Sequence, residues 1–188
     1  MNDRELNDLQ EQDHRPEAVW IDTAEQAKLV RAALRRAFPG VRFRVRIHRY
    51  SGGSSVDVRW TDGPTWRAVK AVTDPYDGQR FDGMVDLGYS VRSWLSPDGS
   101  ARLAHDPGSG GSRGSNPERF GDPRPGDRLV HFSGMVSTQR ELSPQARGRV
   151  LAWAERRMSP MDAEAFAWRI FQRATFTPDG LMHVEREG

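Results

Sequence analysis

The chain contains no cysteine. Disulfides, thiolate metal sites and a cysteine nucleophile are therefore excluded. Lysine stands only at positions 28 and 70, so almost all positive charge is arginine. Apolar residues make up 36% of the chain, aromatics 9%, and the mean hydropathy is -0.75. Such values imply that part of the chain stays outside a packed core. No apolar run approaches the ~20 residues of a membrane-spanning helix. Met1 to Glu17 lacks the apolar centre of a secretory signal. The expectation is a cytoplasmic protein with no membrane contact.

What is present is charge, unevenly spread. The net charge is only +2 over 188 residues. Residues 1–14 hold five acids against Arg4, whereas residues 28–59 hold nine bases against Asp57 alone. A basic block of that density suggests an anionic partner. GC-rich coding also produces such an excess of arginine over lysine, so placement matters more than number.

The expected organisation follows the chain. Residues 1–18 read as a mobile acidic arm. Thr23-Ala-Glu-Gln26 fits a capping box opening a helix, with Ala27, Val30, Leu34 and Phe38 on its buried stripe. Pro39-Gly40 ends it. From Val41 to Tyr50 the pattern alternates strictly. Val41, Phe43, Val45 and Ile47 share one face; Arg42, Arg44, Arg46 and His48 share the other. Gly52-Gly53 suits a two-residue turn. That register sets Val45 opposite Trp60, His48 opposite Asp57 and Arg46 opposite Arg59. Pro64 suits the first position of a short helix. Phe81 to Leu87 reads as a third strand that lets Asp82 and Asp86 meet the arginine face. Residues 19–95 thus form an α+β core.

Residues 96–127 are rich in Gly, Ser and Pro and read as a flexible insertion. Strand character returns over Arg128 to Glu141, with Val130, Phe132 and Val136 as core residues. Ser143-Pro144 and Ser159-Pro160 each read as an N-cap followed by a first-turn proline. They open a helix pair within residues 128–176. Ala146, Val150, Trp153 and Ala154 form one stripe; Met161, Ala165, Trp168 and Phe171 form the other. Residues 177–188 read as a frayed tail. The fold class is α+β: a small, mainly antiparallel sheet with flanking helices and a C-terminal helix pair.

Three segments in order carry a family resemblance. They are Phe38-Pro39-Gly40-Val41-X-Phe43, then Tyr50-Ser51-Gly52-Gly53-Ser54-Ser55-Val56-Asp57-Val58-X-Trp60-Thr61-Asp62-Gly63-Pro64, then Phe81-Asp82-Gly83-Met84-Val85-Asp86-Leu87. Together they resemble the large polyvalent protein-associated domain of type twenty-nine. The resemblance covers roughly residues 23–92, and more weakly 128–158. It implies a setting in phage, plasmid and conjugative-element proteins. It implies no activity, so no catalytic residue is carried over. The acidic arm and the Gly/Ser-rich segment depart from the family pattern.

The candidate site is the arginine face. Alternate arginines on a strand stand about 7 Å apart, comparable to phosphate spacing along a nucleic-acid strand. Arg42, Arg44, Arg46, His48 and Arg59 are the strand candidates for anion binding. Lys28, Arg31 and Arg35 extend the set on the helix. The competing reading is a solvated face, or one paired with Asp57, Asp82 and Asp86. Tyr50 is the one aromatic on this face, so no base-stacking platform is indicated. Asp57, Asp62, Asp82 and Asp86, with His48 and His131, are the only catalytic-looking group. Asp57, Asp82 and Asp86 are the candidate metal ligands. Ser51-Gly52-Gly53-Ser54 lacks the lysine and following helix of a phosphate loop.

The preferred expectation is a non-enzymatic accessory or counter-defence protein of a phage or mobile element. It would need no cofactor. Its partner would be DNA, RNA or a host protein that handles nucleic acid, met through the arginine face. The alternatives are a metal-dependent nuclease or hydrolase using the aspartates, and a structural protein-interaction module. Sequence leaves the oligomeric state open.

Overall fold

The computed structural model describes residues 17–111, 116, 120–177 and 180–184. Most of the acidic arm, and parts of the insertion and tail, lie outside the described residues. The fold is mixed α+β with two principal sheets. One has the order β1 (Val19–Ile21), β8 (Arg128–Phe132), β6 (Arg92–Leu95), β7 (Ala101–His105). The other has the order β2 (Arg44–Tyr50), β3 (Gly53–Thr61), β9 (Met135–Glu141). Pairing is antiparallel except for β1 with β8 and β3 with β9. Two ribbons complete the strands: β4 (Gln79–Asp82) with β5 (Leu87–Ser90), and β10 (Ala174–Phe176) with β11 (Met182–Val184).

Helices α1 (Thr23–Ala37) and α2 (Trp66–Thr73) bury their stripes in a core fed by both sheets. Val30 and Leu34 of α1 meet Val56 and Val58 of β3, and Val130 and Phe132 of β8 belong to the same cluster. Asp22, not Thr23, caps α1, accepting from the Glu25 amide at 2.8 Å. Thr23 is buried and hydrogen-bonds the Ser54 hydroxyl. Thr65, rather than a leading Pro64, caps α2 and accepts from the Ala68 amide at 3.2 Å.

Gln26 therefore serves no capping box. It is fully buried. Its Nε2 donates to the Tyr76 and Gly134 carbonyls, each at 2.7 Å, and its Oε1 accepts from the Gly134 amide at 3.0 Å. Gly134 lies where the chain leaves β8 in one sheet for β9 in the other. A Cβ at Gly134 would lie 2.9 Å from Gln26 Oε1 and 3.1 Å from the Ser54 carbonyl, so glycine permits the approach.

The insertion is more structured than its composition implies. Residues 101–105 form β7, which pairs with β6. Asp127 ties both ends of this segment together, accepting from Ser96 and Arg102 at 2.6 Å each. The Ser96 hydroxyl, the Arg124 amide and Arg102 hold its carboxyl at about 2. Two further expectations are corrected. Residues 128–141 are two strands in two sheets, because Ser133-Gly134 breaks the run. The expected tail supplies β11, which pairs with β10.

Helices α3 (Pro144–Glu155) and α4 (Pro160–Arg173) are capped by Ser143 and Ser159 as their Ser-Pro pairs imply. The α4 stripe is displaced. Ala163, Ile170 and Phe171 are buried, while Met161 is 84% and Trp168 64% exposed. Alanines at 146, 154 and 163 form the seam between the helices. Small residues there permit close approach, and Met161 and Trp168 are left outside. Arg140 joins this unit to the hairpin sheet. Its guanidinium donates to the Asp62, Gly63, Phe171 and Ala174 carbonyls at 2.7–3.1 Å and lies 4.5 Å over the Phe171 ring. Burial pushes its pKa down to about 10.

Replacing Gln26 by leucine removes three buried hydrogen bonds and takes Gln26 away from the Gly134 amide and the Tyr76 carbonyl. A loss of roughly 3 kcal/mol or more is expected in urea unfolding. A change under about 1 kcal/mol would show that the Gln26 contacts do not hold the sheets together.

Candidate nucleic-acid interface

Strand alternation puts the core on one face of the β2-β3-β9 sheet and leaves the other face open. Val45, Ile47, Val56, Val58 and Trp60 turn towards α1 and α2. Arg44, Arg46, His48 and Arg59 turn outward and are exposed. The hairpin register is shifted by two residues from the expected one, with Ser51-Gly52 as the turn. Tyr50 pairs with Gly53, and its ring lies over that glycine. A shift of two preserves both faces but changes every cross-strand pair. Arg44 now stands opposite Arg59, Arg46 opposite Asp57, and His48 opposite Ser55. The parallel partner β9 extends the rows: Ser137 lies beside Asp57, and Gln139 beside Arg59.

The electrostatics follow from this register. Among the described residues, Asp57 is the single acid within the arginine cluster, and hydroxyls hold it. Its Oδ1 accepts from Ser137 at 2.7 Å and Ser55 at 3.2 Å, and its Oδ2 lies 3.9 Å from His48 Nε2. Among the described residues, no carboxylate comes within 4.0 Å of a charged nitrogen of Arg42, Arg44, Arg46 or Arg59. Like charges directly opposite on a sheet are unfavourable unless an anion lies between them. A hollow of about 180 Å³ opens between Arg44, Arg46, His48, Asp57 and Arg59. A larger groove of about 890 Å³ at the strand ends shares Arg44 and Arg59 and adds Arg42.

The helical candidates are not part of this face. Lys28 pairs with Glu25 at 2.9 Å. Arg31 donates to the Val45 carbonyl at 3.0 Å, and Arg35 to the Arg31 carbonyl at 3.2 Å. All three stand on α1, which packs against the sheet's opposite face. They brace the fold rather than extend the arginine row.

The aspartates are not gathered either. Phe81 to Leu87 is no continuous strand: Gly83 to Asp86 form the turn of the β4-β5 ribbon. Asp82 accepts from the Met84 amide at 2.9 Å and the Ser109 hydroxyl at 2.6 Å, which is turn chemistry. Asp86 adopts a left-handed φ of 53°. Asp57 belongs to a different sheet. Asp62 accepts from the Ser143 amide at 2.9 Å, holding the start of α3. Among the described residues, no group of three or more His, Asp or Glu side chains is placed to hold a metal ion. His131 sits in β8, buried, with Nδ1 3.2 Å from the Val91 carbonyl and Trp20 edge-on at 4.1 Å.

Sequence reasoning missed Arg149, which lines the larger groove from α3. Its spacing carries no signal. The β10-β11 ribbon brings Gly180 against its guanidinium, and only the fold shows that.

With this geometry in place, the comparisons define the class. The chain belongs to the family described as large polyvalent protein associated domain 29, whose model matches residues 21–116, just over half of the chain. That description names an association with large polyvalent proteins and no activity. The match takes in α1, the arginine hairpin and β4 to β7; β9, α3 and α4 lie beyond it. No curated protein and no solved structure matches the chain. Among the described residues, no helix is long and apolar enough to cross a membrane.

Burial, reinforced by the charge of Arg92, depresses the basicity of His131 below its ordinary value. The unfolded chain would bind that proton near pH ~6.5. This contribution to stability is therefore complete above pH ~6.5 and falls as acidification proceeds below it. Thermal unfolding from pH 7 to 5 should show a decline in Tm that His131→Asn flattens. An unchanged pH profile in that variant would contradict the assignment.

Proposed function

We propose that the chain is a non-enzymatic accessory or counter-defence protein of a phage or mobile element that acts by binding nucleic acid. The binding surface is the open face of the β2-β3-β9 sheet. One observation carries this reading: Arg44, Arg46 and Arg59 converge without an ion-pairing carboxylate among the described residues. The register faces Arg44 with Arg59, an arrangement that an anion between them relieves.

The chemistry is phosphate neutralisation. Each arginine that meets a phosphate displaces condensed counterions, so affinity depends steeply on salt. Gln139 adds a neutral donor beside the row. Tyr50 is the sole aromatic of the face, so base stacking contributes little and sequence preference is weak. A metal-dependent hydrolase is disfavoured, because Asp57 stands in a different sheet from the β4-β5 ribbon that carries Asp82 and Asp86.

A protein partner, such as a host protein that handles nucleic acid, is a second reading. The exposure of Met161 and Trp168 on α4, with Trp66 across a hollow of about 280 Å³, favours it.

Fluorescence anisotropy with a labelled single strand separates the two. With three phosphate contacts, log affinity should fall against log salt with a slope of about -2. Arg44→Ala and Arg46→Ala should each reduce that slope by about 0.7, and Arg35→Ala should leave it unchanged. A salt-insensitive or absent signal would exclude the nucleic-acid reading. A single stoichiometric partner retained in salt that strips nucleic acid would favour the second.

A further inference from the structure

The larger groove differs from the open face. It lies where β2 begins and β3 and β9 end, and the C-terminal elements close its far side. Its volume of about 890 Å³ lies within the range of small-molecule sites. Arg42, Arg44, Arg59 and Arg149 line it together with Phe43 and Phe176. Basic and aromatic groups thus converge on one concavity.

The walls are held from behind. The Phe43 ring packs 5.8 Å from both Phe38 and Trp60, and Trp60 Nε1 donates to the Pro64 carbonyl at 3.0 Å. Arg140, beneath, lies 5.7 Å over the Phe176 ring. Arg149 is positioned by Gly180, whose φ is +85°. A Cβ there would lie 2.7 Å from Arg149 Nη1. Two carboxylates, Asp62 and Glu141, stand at the rim against four arginines, and Asp62 also accepts from the Ser143 amide.

We infer that this groove binds a nucleoside phosphate. The phosphate lies among Arg42, Arg44, Arg59 and Arg149, which donate charge-assisted hydrogen bonds. The base rests against the half-buried Phe43, with the buried Phe176 as the floor beneath. Gln145 and Glu141 offer an amide and a carboxylate to its polar edge. The ligand has two possible sources: the terminal nucleotide of a single strand, or a free nucleotide. The strand-end source rests on the nucleic-acid reading above, because Arg44 and Arg59 belong to both surfaces. A strand along the sheet face would deliver its end into the groove.

The test uses the full chain and four probes. They are adenosine monophosphate, adenosine, a 5′-phosphorylated linear single strand, and the same strand circularised. Calorimetry should show saturable binding of the monophosphate, with adenosine at least about tenfold weaker, the scale of a lost charged hydrogen bond. Arg149→Ala should weaken the monophosphate and the linear strand by about tenfold while the circle is unaffected. Arg42→Ala, on a different element, should do the same, and circular dichroism should show both variants folded. Tighter binding of the linear strand than of the circle identifies the strand end as ligand. Equal strand affinities together with monophosphate binding identify the free nucleotide. If the monophosphate does not bind and linear and circular strands bind equally, the pocket is overturned while the sheet-face reading stands. If the monophosphate binds and neither strand does, the sheet-face reading fails and the pocket stands.

Discussion

The architecture depends on one buried side chain. Gln26 holds the only point at which the described chain passes directly from one principal sheet to the other. Three hydrogen bonds from a single amide fasten α1, the carbonyl of Tyr76 and the turn at Gly134. Ser133 adds a second link at the same place, donating through its hydroxyl to the Ile21 carbonyl at 2.8 Å. Gly78 packs against it so closely that a Cβ would lie 1.6 Å from the Phe132 carbonyl oxygen. Buried amides are costly unless satisfied, so this constellation stands or falls together. By fixing where β9 starts, it fixes β9 beside β3.

That placement produces the candidate interface. A two-stranded hairpin alone would be marginal in water. With β9 paired to β3 and two helices on the inner face, the sheet becomes a rigid platform. Among the described residues, no helix covers its outer face. The alternation of β2 and β3 assigns the arginines to that face, and the register presses two of them together. The core and the candidate interface thus share one cause. The same pleat that buries Val56 and Val58 projects Arg44, Arg46 and Arg59. Arg140 performs the corresponding task at the other end of the sheet, replacing a carboxylate partner with four carbonyls and two aromatic rings. It holds the C-terminal unit where Arg149 reaches the groove.

Sequence made the faces legible because period-two alternation is local. It did not make the pairing legible. A slip of two residues leaves every side chain on its own face, so the outward placing of Arg44, Arg46 and His48 was legible while their cross-strand partners were not. The Ser-Pro caps of α3 and α4 were readable for the same local reason. The α4 stripe was not, since its seam is built from alanines whose burial depends on α3. Composition concealed β7, because a short strand beside Gly- and Ser-rich turns is stabilised by pairing with β6 and by Asp127, which lies 25 residues beyond Arg102. Gln26 fits a capping box at its own position and is claimed instead by Gly134, more than a hundred residues on. Arg149 and the groove are likewise products of tertiary structure. The helical bases Lys28, Arg31 and Arg35 looked continuous with the arginine row only because sequence proximity hides which side of a sheet a helix covers.

The central claim is that the uncovered sheet face is where the partner lies. Backbone amide NMR during titration with a short single strand tests it most directly. The account predicts shifts concentrated at Arg44, Arg46, Arg59, Ser137 and Gln139, with α1 unmoved. Shifts confined to α1 or to Met161 and Trp168 of α4, with the sheet face silent, would contradict it.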